Sequence, residues 1–184
     1  FGADPQLPPP RQTLIPTVKI APAVGWPAGA APVAAEGLGV QAFADGLDHP
    51  RWLYRLPNGD VLVAETNKPT PPPTVRRGLR EWVMDKVMAR AGAGVPSPDR
   101  ITLLRDADGD GVAELKTPFL TGLHSPFGMA QAGDRLFIAN ADAVVAVPYR
   151  SGQTRIDVTP VRVADLPAGR NHHWTKSLVA SPDG

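Results

Sequence analysis

The sequence predicts an all-β chain in which short strands follow one another through tight turns. Three observations indicate this class. Strand-length apolar runs recur from residue 38 onward, Pro, Gly and Asn residues separate them, and one strand–turn–strand pattern repeats along the chain. With 42% apolar residues in 184, the chain also has enough apolar side chains to bury a core.

Residues 1–37 show neither a strand period nor a helix period. They are dense in Pro and Ala, as in Leu7-Pro8-Pro9-Pro10, and we interpret them as an extended N-terminal arm. After them the sequence predicts strands at Val40–Ala44, Arg51–Leu56 and Asp60–Glu65. The Pro57-Asn58-Gly59-Asp60 segment between the last two predicts a hairpin turn, because Gly accepts the positive φ of such turns.

This hairpin unit recurs. His49-Pro50-Arg51-Trp52-Leu53 leads to a second strand ending at Glu65, and Ser125-Pro126-Phe127-Gly128-Met129 leads in the same way to Leu136–Asn140. A third copy begins at His173-Trp174 and runs to Asp183-Gly184. With the insertion near residues 68–98 discounted, the spacing of about 50 residues suits one four-stranded propeller blade per repeat. Residues 38–184 are therefore predicted to form an incomplete β-propeller domain.

The insertion carries a segment with helical spacing, predicted at residues 75–92. Its apolar residues fall on one face, namely Leu79, Trp82, Val83, Val87 and Met88. The basic residues of the segment lie mostly elsewhere on the wheel, namely Arg76, Arg77, Arg80, Lys86 and Arg90. This pattern predicts an amphipathic helix packed on the outside of the blades, with a helix lying on a membrane surface as the alternative.

An acidic segment supplies the first candidate chemistry. Asp106, Asp108 and Asp110 alternate around Gly residues, and Glu114 follows four residues later. Alternating carboxylates in such a loop suit calcium. The twelfth position of an EF-hand loop needs an acidic residue, and here it is Thr117, so the motif is not a complete EF-hand. The alternative is a polar hairpin loop in which Asp and Gly serve only the turn.

Histidines mark the repeat starts. His49 and His124 each lie within two residues of a Pro, and His172 and His173 precede the third repeat. The pair His172 and His173 could act as metal ligands or include a general base, or it could simply be part of a polar loop. Because neighbouring strand residues point to opposite faces, only one of the pair is expected to act at a given site. If the repeats are blades, these histidines would converge on one axial site.

Several separated motifs together resemble a known family. They are Gly46–Leu53, Pro57–Glu65, Arg105–Gly111, and Leu166-Pro167 through His173 to Pro182-Asp183-Gly184. The chain is similar at these residues to the glucose/sorbosone dehydrogenases, which carry pyrroloquinoline quinone (PQQ) on a six-bladed β-propeller. The likeness is strongest to the L-sorbosone dehydrogenase-like branch, which also carries a helical insertion. The resemblance implies a partial six-bladed β-propeller of about two to three blades with one inserted amphipathic helix.

The resemblance also implies an activity. His173 would be the catalytic base, removing a proton from a sugar or aldehyde-hydrate hydroxyl while hydride passes to the quinone. His172, His124, His49 and Trp174 would contact substrate or cofactor, and the cofactors would be PQQ and calcium. In that family many quinone contacts come from later blades. We therefore expect this chain to be an N-terminal portion that is inactive alone, with its electron acceptor unspecified.

The composition of the chain excludes several other classes of function. The net charge of +1 provides no basic field for nucleic acid, and the absence of Cys excludes disulfides, thiolate zinc sites and cysteine nucleophiles. No apolar run reaches the length of a membrane span. The resemblance implies a periplasmic or secreted protein, with self-association through open blade edges. Two alternative functions are a non-catalytic carbohydrate- or protein-binding propeller and a calcium-dependent lactonase-like propeller.

Overall fold

A computed structural model describes residues 6, 8–9, 20–27, 29–69, 78–93, 95–168 and 173–181. The chain divides into two compact units. One comprises Phe1–Gly25 and Arg77–Gly94, and the other comprises Trp26–Arg76 and Val95–Gly184. Among the residues described, no helix has the length and apolar character of a membrane span.

The first unit contains a single described helix, α1 (Leu79–Arg90), which lies within the predicted insertion 75–92; residues 75–77 lie outside the described residues. Gly92 ends it with φ of +76°. Its N–H donates to the Ala89 carbonyl and the Ala93 N–H donates to the Met88 carbonyl, both at 3.1 Å. This is a Schellman ending, which requires the left-handed conformation that Gly adopts at little cost.

The apolar residues of α1 do not form the buried face that the sequence predicts. Four of the five residues in the predicted stripe are between 44% and 78% exposed, namely Leu79, Trp82, Val83 and Met88. The sequence of the helix separates its faces weakly, since Met84 and Met88 lie on the side opposite Leu79.

The second unit contains two four-stranded antiparallel sheets, each with its strands in chain order. Sheet A is formed by β1 (Pro50–Arg55), β2 (Val61–Glu65), β3 (Arg100–Arg105) and β4 (Leu115–Leu120). The predicted turn joins β1 to β2: Gly59 has φ of +96°, and the Leu56 N–H donates to the Asp60 carbonyl at 2.8 Å. The hairpin prediction is confirmed.

Sheet B is formed by β5 (Met129–Ala132), β6 (Arg135–Ala139), β7 (Ala143–Pro148) and β8 (Val161–Asp165). Strands β5 and β6 pair in register from Met129 opposite Ile138 to Ala132 opposite Arg135. The β1–β2 and β5–β6 hairpins are thus the two described copies of the sequence repeat. The all-β class is confirmed in its coarse form: the described residues form two antiparallel sheets and one short helix, and these sheets do not close into a ring.

One apolar core joins the two sheets. Phe119, Leu62 and Ile101 of sheet A and Leu136 and Ile138 of sheet B are all fully buried in the same cluster. The ring of Phe119 meets that of Tyr149 edge-on, with centroids 6.2 Å apart. Each sheet is covered on one face by the other, because a single sheet would leave its apolar face in water.

Two predicted strands are not present. Val40–Ala44 is irregular, although the Ala113 N–H donates to the Phe43 carbonyl at 2.8 Å. Residues 173–181, the described part of the third repeat, also lack strand structure. They nevertheless alternate between exposed and half-buried side chains up to Leu178, and the Gly128 N–H donates to the Lys176 carbonyl at 2.9 Å.

Candidate functional site

The starts of the repeats lie at one end of the two sheets. In sheet A this end holds Pro50, paired with Glu65, which is in turn paired with Arg100. Asp99, just before β3, accepts hydrogen bonds from the two residues that lead into β5: Leu123 N–H to its carbonyl at 3.1 Å, and Ser125 N–H to Oδ1 at 2.8 Å. We call this common end of the two sheets the histidine end.

The backbone repeats its geometry at the histidine end. His49 and Ser125, each followed by Pro, have φ of +50° and +46°, a left-handed conformation that is uncommon for such residues. The residue before each one donates its N–H to a side chain at or just after the end of the second strand of the following hairpin. The Asp48 N–H donates to Glu65 Oε2, and the His124 N–H donates to Asn140 Oδ1 at 3.3 Å. Equivalent contacts therefore fix both repeat starts.

Glu65 is the buried charge at this end, with 1% of its surface exposed. Arg100 donates to it through Nε at 3.0 Å and Nη2 at 2.8 Å, and the Thr102 hydroxyl also donates to Oε1. Burial raises the pKa of Glu65, but the hydrogen bonds from Arg100, Thr102 and the Asp48 N–H outweigh it and leave that pKa below its ordinary value. Glu65 is a satisfied structural anion.

His124 has a carboxylate partner. Its Nδ1 lies 2.9 Å from Asp142 Oδ1, and Arg162 donates to Asp142 Oδ2 and to the Asp142 carbonyl, both at 3.2 Å. Asp165 in turn accepts from Arg162 Nε at 2.7 Å. Partial burial raises the pKa of Asp142, but the hydrogen bonds with His124 and Arg162 outweigh this effect and lower that pKa.

Aromatic rings connect the three repeat starts. The Trp52 ring centroid lies 5.0 Å from that of Phe127, and Phe127 lies 6.3 Å from Trp174 in an edge-on contact. The Arg51 guanidinium stands 5.9 Å from the centre of the Trp174 ring, within the range of a cation–π interaction. We call Arg51, Trp52, Phe127 and Trp174 the aromatic row.

The predicted histidines fall at separate places at this end. His173 is exposed and His49 is half-buried. His173 is the residue before Trp174 and is exposed, whereas Trp174 is half-buried. His172 lies outside the described residues. Trp174, one of the predicted site residues, makes contacts that span repeats, with Phe127 and Arg51.

The predicted acidic loop brings its four carboxylates together. The ligand oxygens of Asp106, Asp108, Asp110 and Glu114 lie within 4.8 Å of one another. Asp106 accepts from the Gly109 N–H at 2.7 Å and from the Gly111 N–H at 2.9 Å. Both glycines have φ above +80°, which explains their place in the loop. These hard oxygen donors suit calcium or magnesium.

The acidic loop and the histidine end are at opposite ends of sheet A. The loop follows Arg105 and precedes Leu115, whereas Arg100 at the other end of β3 lies at the histidine end. A strand of six residues is about 17–20 Å long. A cation held by the loop therefore could not contact a ligand held beside His49 or His124.

A cavity of about 500 Å³ lies beside the acidic loop. Its lining includes Phe43, Arg55 and the Asp60–Arg105 ion pair. Arg105 donates to Asp60 from Nε at 2.7 Å and from Nη2 at 2.8 Å. Hydrogen bonds from Arg105, and to a lesser extent from Asn58, lower the pKa of Asp60 against the opposing effect of burial. The paired groups make this cavity close to neutral.

Sequence reasoning missed Asp142 and Arg162 as partners of His124, and Arg51 and Phe127 as contacts of Trp174. The repeat offered a signal for some of them. Asp142 stands two residues after Asn140, as Asn67 stands two after Glu65, so a polar residue follows the second strand in both copies. Phe127 and Trp52 both belong to the repeated motif, which indicates a shared role at the repeat start.

Comparison with protein families identifies one match. The profile described as "Domain of unknown function (DUF7133)" covers residues 80–184, more than half of the chain. The chain belongs to this family. The DUF7133 region contains β3 to β8, the acidic loop, His124 with its partners, and residues 173–181. Comparisons with curated proteins and with solved structures found no significant match.

Proposed function

We propose that this DUF7133 chain is part of a quinone-dependent dehydrogenase that oxidises a sugar or a sugar aldehyde, with its site at the histidine end. One observation carries the proposal: the starts of three sequence repeats meet there through the aromatic row. An active site assembled from equivalent strand starts is what the resemblance to the glucose/sorbosone dehydrogenases leads us to expect.

The two sheets would be neighbouring blades of a partial six-bladed β-propeller. In support, each is an antiparallel sheet with strands in chain order, and the Gln131 N–H of β5 donates to the Tyr54 hydroxyl of β1 at 2.9 Å, so the first strands of the two sheets are neighbours. Further sheets would be needed to close a ring. Without those sheets, the unpaired edge strands of the two sheets favour self-association.

The residues at this end fit a flat, anionic quinone such as PQQ. Trp52 and Trp174 offer aromatic surface, and the exposed Arg51 offers a cation for a carboxylate. When bound, the quinone would accept the hydride. His173, exposed beside Trp174, would accept the hydroxyl proton at a ring nitrogen. Calcium in the acidic loop would stabilise sheet A and would not contact the quinone.

The product of the complete gene, supplied with PQQ and calcium, tests this proposal. We expect dye reduction with aldoses or sugar aldehydes, and we expect His173→Gln to lower kcat by at least about 100-fold, as removal of a general base does. Asp157→Asn, in an exposed ion pair with Arg155, serves as the matched control. Absence of turnover with every aldose and aldehyde would refute the proposal, and lactone hydrolysis without quinone would support a lactonase instead.

A second candidate is a non-catalytic carbohydrate-binding propeller. The observation in its favour is the aromatic row itself, since Trp52 is 37% exposed and indole faces pack well against sugar rings. Calorimetry with mono- and oligosaccharides would detect such binding. Binding that is lost in Trp52→Ala, together with no redox activity in the complete protein, would favour this function.

A further inference from the structure

We propose that His124 is a proton-accepting site for a hydroxyl-bearing ligand, held ready by Asp142 and Arg162. The ligand class, a sugar or an aldehyde hydrate, rests on the proposed function; the state of the imidazole does not. The resemblance implies a substrate or cofactor contact for His124 but assigns the base to His173, so it does not give His124 the role of proton acceptor.

The contact with Asp142 determines which nitrogen carries the proton of a neutral His124 ring. An ionised carboxylate can only accept hydrogen bonds. Partial burial raises the pKa of Asp142, but its hydrogen bonds with His124 and Arg162 outweigh burial and lower that pKa, so Asp142 is ionised at neutral pH. The 2.9 Å contact therefore requires the proton of a neutral His124 ring to be on Nδ1. That leaves Nε2 as an unprotonated acceptor.

The backbone around His124 is also fixed. Its N–H donates to Asn140 Oδ1 at 3.3 Å, and its carbonyl accepts from the Ala141 N–H at 2.9 Å. The next residue, Ser125, is buried in a left-handed conformation. The main chain that carries the imidazole is therefore held in place. A group that binds a ligand in one orientation needs such support.

The carboxylate is itself positioned. Arg162 contacts both Asp142 Oδ2 and the Asp142 carbonyl, and Asp165 holds the same guanidinium. His124, Asp142 and Arg162 come from three segments: the lead into β5, the β6–β7 turn and β8. With 52% of the His124 side chain exposed, a small ligand can reach the ring.

A hydroxyl group matches this acceptor. When the ligand O–H bond breaks, its proton would form the N–H bond at Nε2 and the electron pair would stay on oxygen. The resulting imidazolium would be stabilised by Asp142 across the existing contact. Asp142 and Arg162 are therefore positioning residues, and His124 is the group that touches the ligand.

Nitrogen-15 NMR of the full chain labelled at histidine tests the inference. In the neutral form of the His124 ring we expect the Nδ1–H tautomer, with a shift toward the Nε2–H tautomer in Asp142→Asn but not in the control Asp157→Asn. Titration with an aldose, or with an aldehyde hydrate, should move the Nε2 resonance of His124. His124→Gln should weaken that binding about tenfold, the effect of losing one hydrogen bond.

Two results would overturn the inference: an Nε2–H tautomer in the unaltered chain, or a titration that leaves the His124 resonance unchanged. These results are separate from those on the dehydrogenase. A ligand-dependent shift at His124 without any quinone reduction by the complete protein would retain this site and refute the proposed function. Quinone reduction by the complete protein, with a His124 resonance that does not move on titration, would support the proposed function and refute this site.

Discussion

Arg105 connects three parts of the second unit through its contact with Asp60. Its guanidinium donates twice to the Asp60 carboxylate, and Nη2 also donates to the Gly152 carbonyl at 3.2 Å. Asp60 ends the β1–β2 turn, Arg105 ends β3, and Gly152 lies between β7 and β8. One planar group thus fixes a hairpin of sheet A and a loop of sheet B together.

The first prediction concerns this planar group. Arg105→Lys keeps the charge but cannot reproduce two parallel N–H donors, and Asp60 is only 3% exposed. We expect the free energy of unfolding in urea to fall by about 2 kcal/mol, the scale of hydrogen bonds to a buried charge. Arg155→Lys is the control, because the Arg155–Asp157 pair is exposed and worth little. Equal losses in the two variants would contradict the prediction.

The second prediction is a loss of stability in acid. Asp60 and Glu65 have lower pKa values in the folded chain than their ordinary 3.8 and 4.5. As the pH falls below those ordinary values, the unfolded chain takes up protons that the folded chain resists. Their contribution is therefore complete above the ordinary values and is lost as the pH falls through the folded values.

Urea titrations between neutral pH and pH 3 would measure this loss. Glu65→Gln should be less stable at neutral pH by about 2–3 kcal/mol, since it leaves donors mismatched around a buried group. It should also show a shallower decline in acid. If the free energy of unfolding of Glu65→Gln falls with pH as steeply as that of the unaltered chain, other carboxylates cause the loss of stability in acid.

The strand–turn pattern was sufficient to predict the hairpins. The β1–β2 and β5–β6 pairs follow from apolar runs and turn residues, because those signals are local in the chain; a hairpin at β3–β4 was the alternative to a calcium loop. Val40–Ala44 has a similar composition but pairs with no strand among the described residues. Its described hydrogen bonds are the one from the Ala113 N–H to the Phe43 carbonyl and the one from the Gln41 amide to the Asp110 carbonyl. Residues 173–181 likewise have the alternation of a strand and only one described backbone bond to Gly128.

The candidate site was less predictable than the fold. Acidic residues that are close in sequence gathered as expected in the loop from Asp106 to Glu114, because a tight loop leaves them little choice. His124 and Asp142 are 18 residues apart, and they meet only because the β5–β6 register carries the chain back to its start. The sequence motif around the histidines contains no mark of that register.

The third prediction concerns calcium in the acidic loop. Four carboxylates within 4.8 Å of one another repel unless a cation is shared. We expect calcium at about 100 times its Kd to stabilise the chain by about 2.7 kcal/mol, seen as a higher Tm that EGTA reverses. Asp108→Asn should remove most of the increase, whereas Asp157→Asn should retain it. A Tm that does not respond to calcium would show that the loop acts only as a turn.

The fourth prediction concerns Gly128, where residues 173–181 approach β5. A Cβ built on Gly128 would stand 2.4 Å from the Leu178 nitrogen and 2.7 Å from the Lys176 carbonyl oxygen. Both are backbone atoms, so they cannot move aside as a flexible side chain would. Gly128→Ala should therefore displace the segment, break the Gly128–Lys176 bond and separate Trp174 from Phe127.

Hydrogen exchange measured by mass spectrometry would detect this displacement as faster exchange in peptides covering 173–181, with the β6 and β7 peptides unchanged. Trp174 fluorescence should shift toward that of an exposed indole. Gly39→Ala is the matched control, because a Cβ there meets nothing within 4 Å. If Gly128→Ala exchanges like Gly39→Ala, the segment does not rest on β5, and the aromatic row cannot extend to the third repeat.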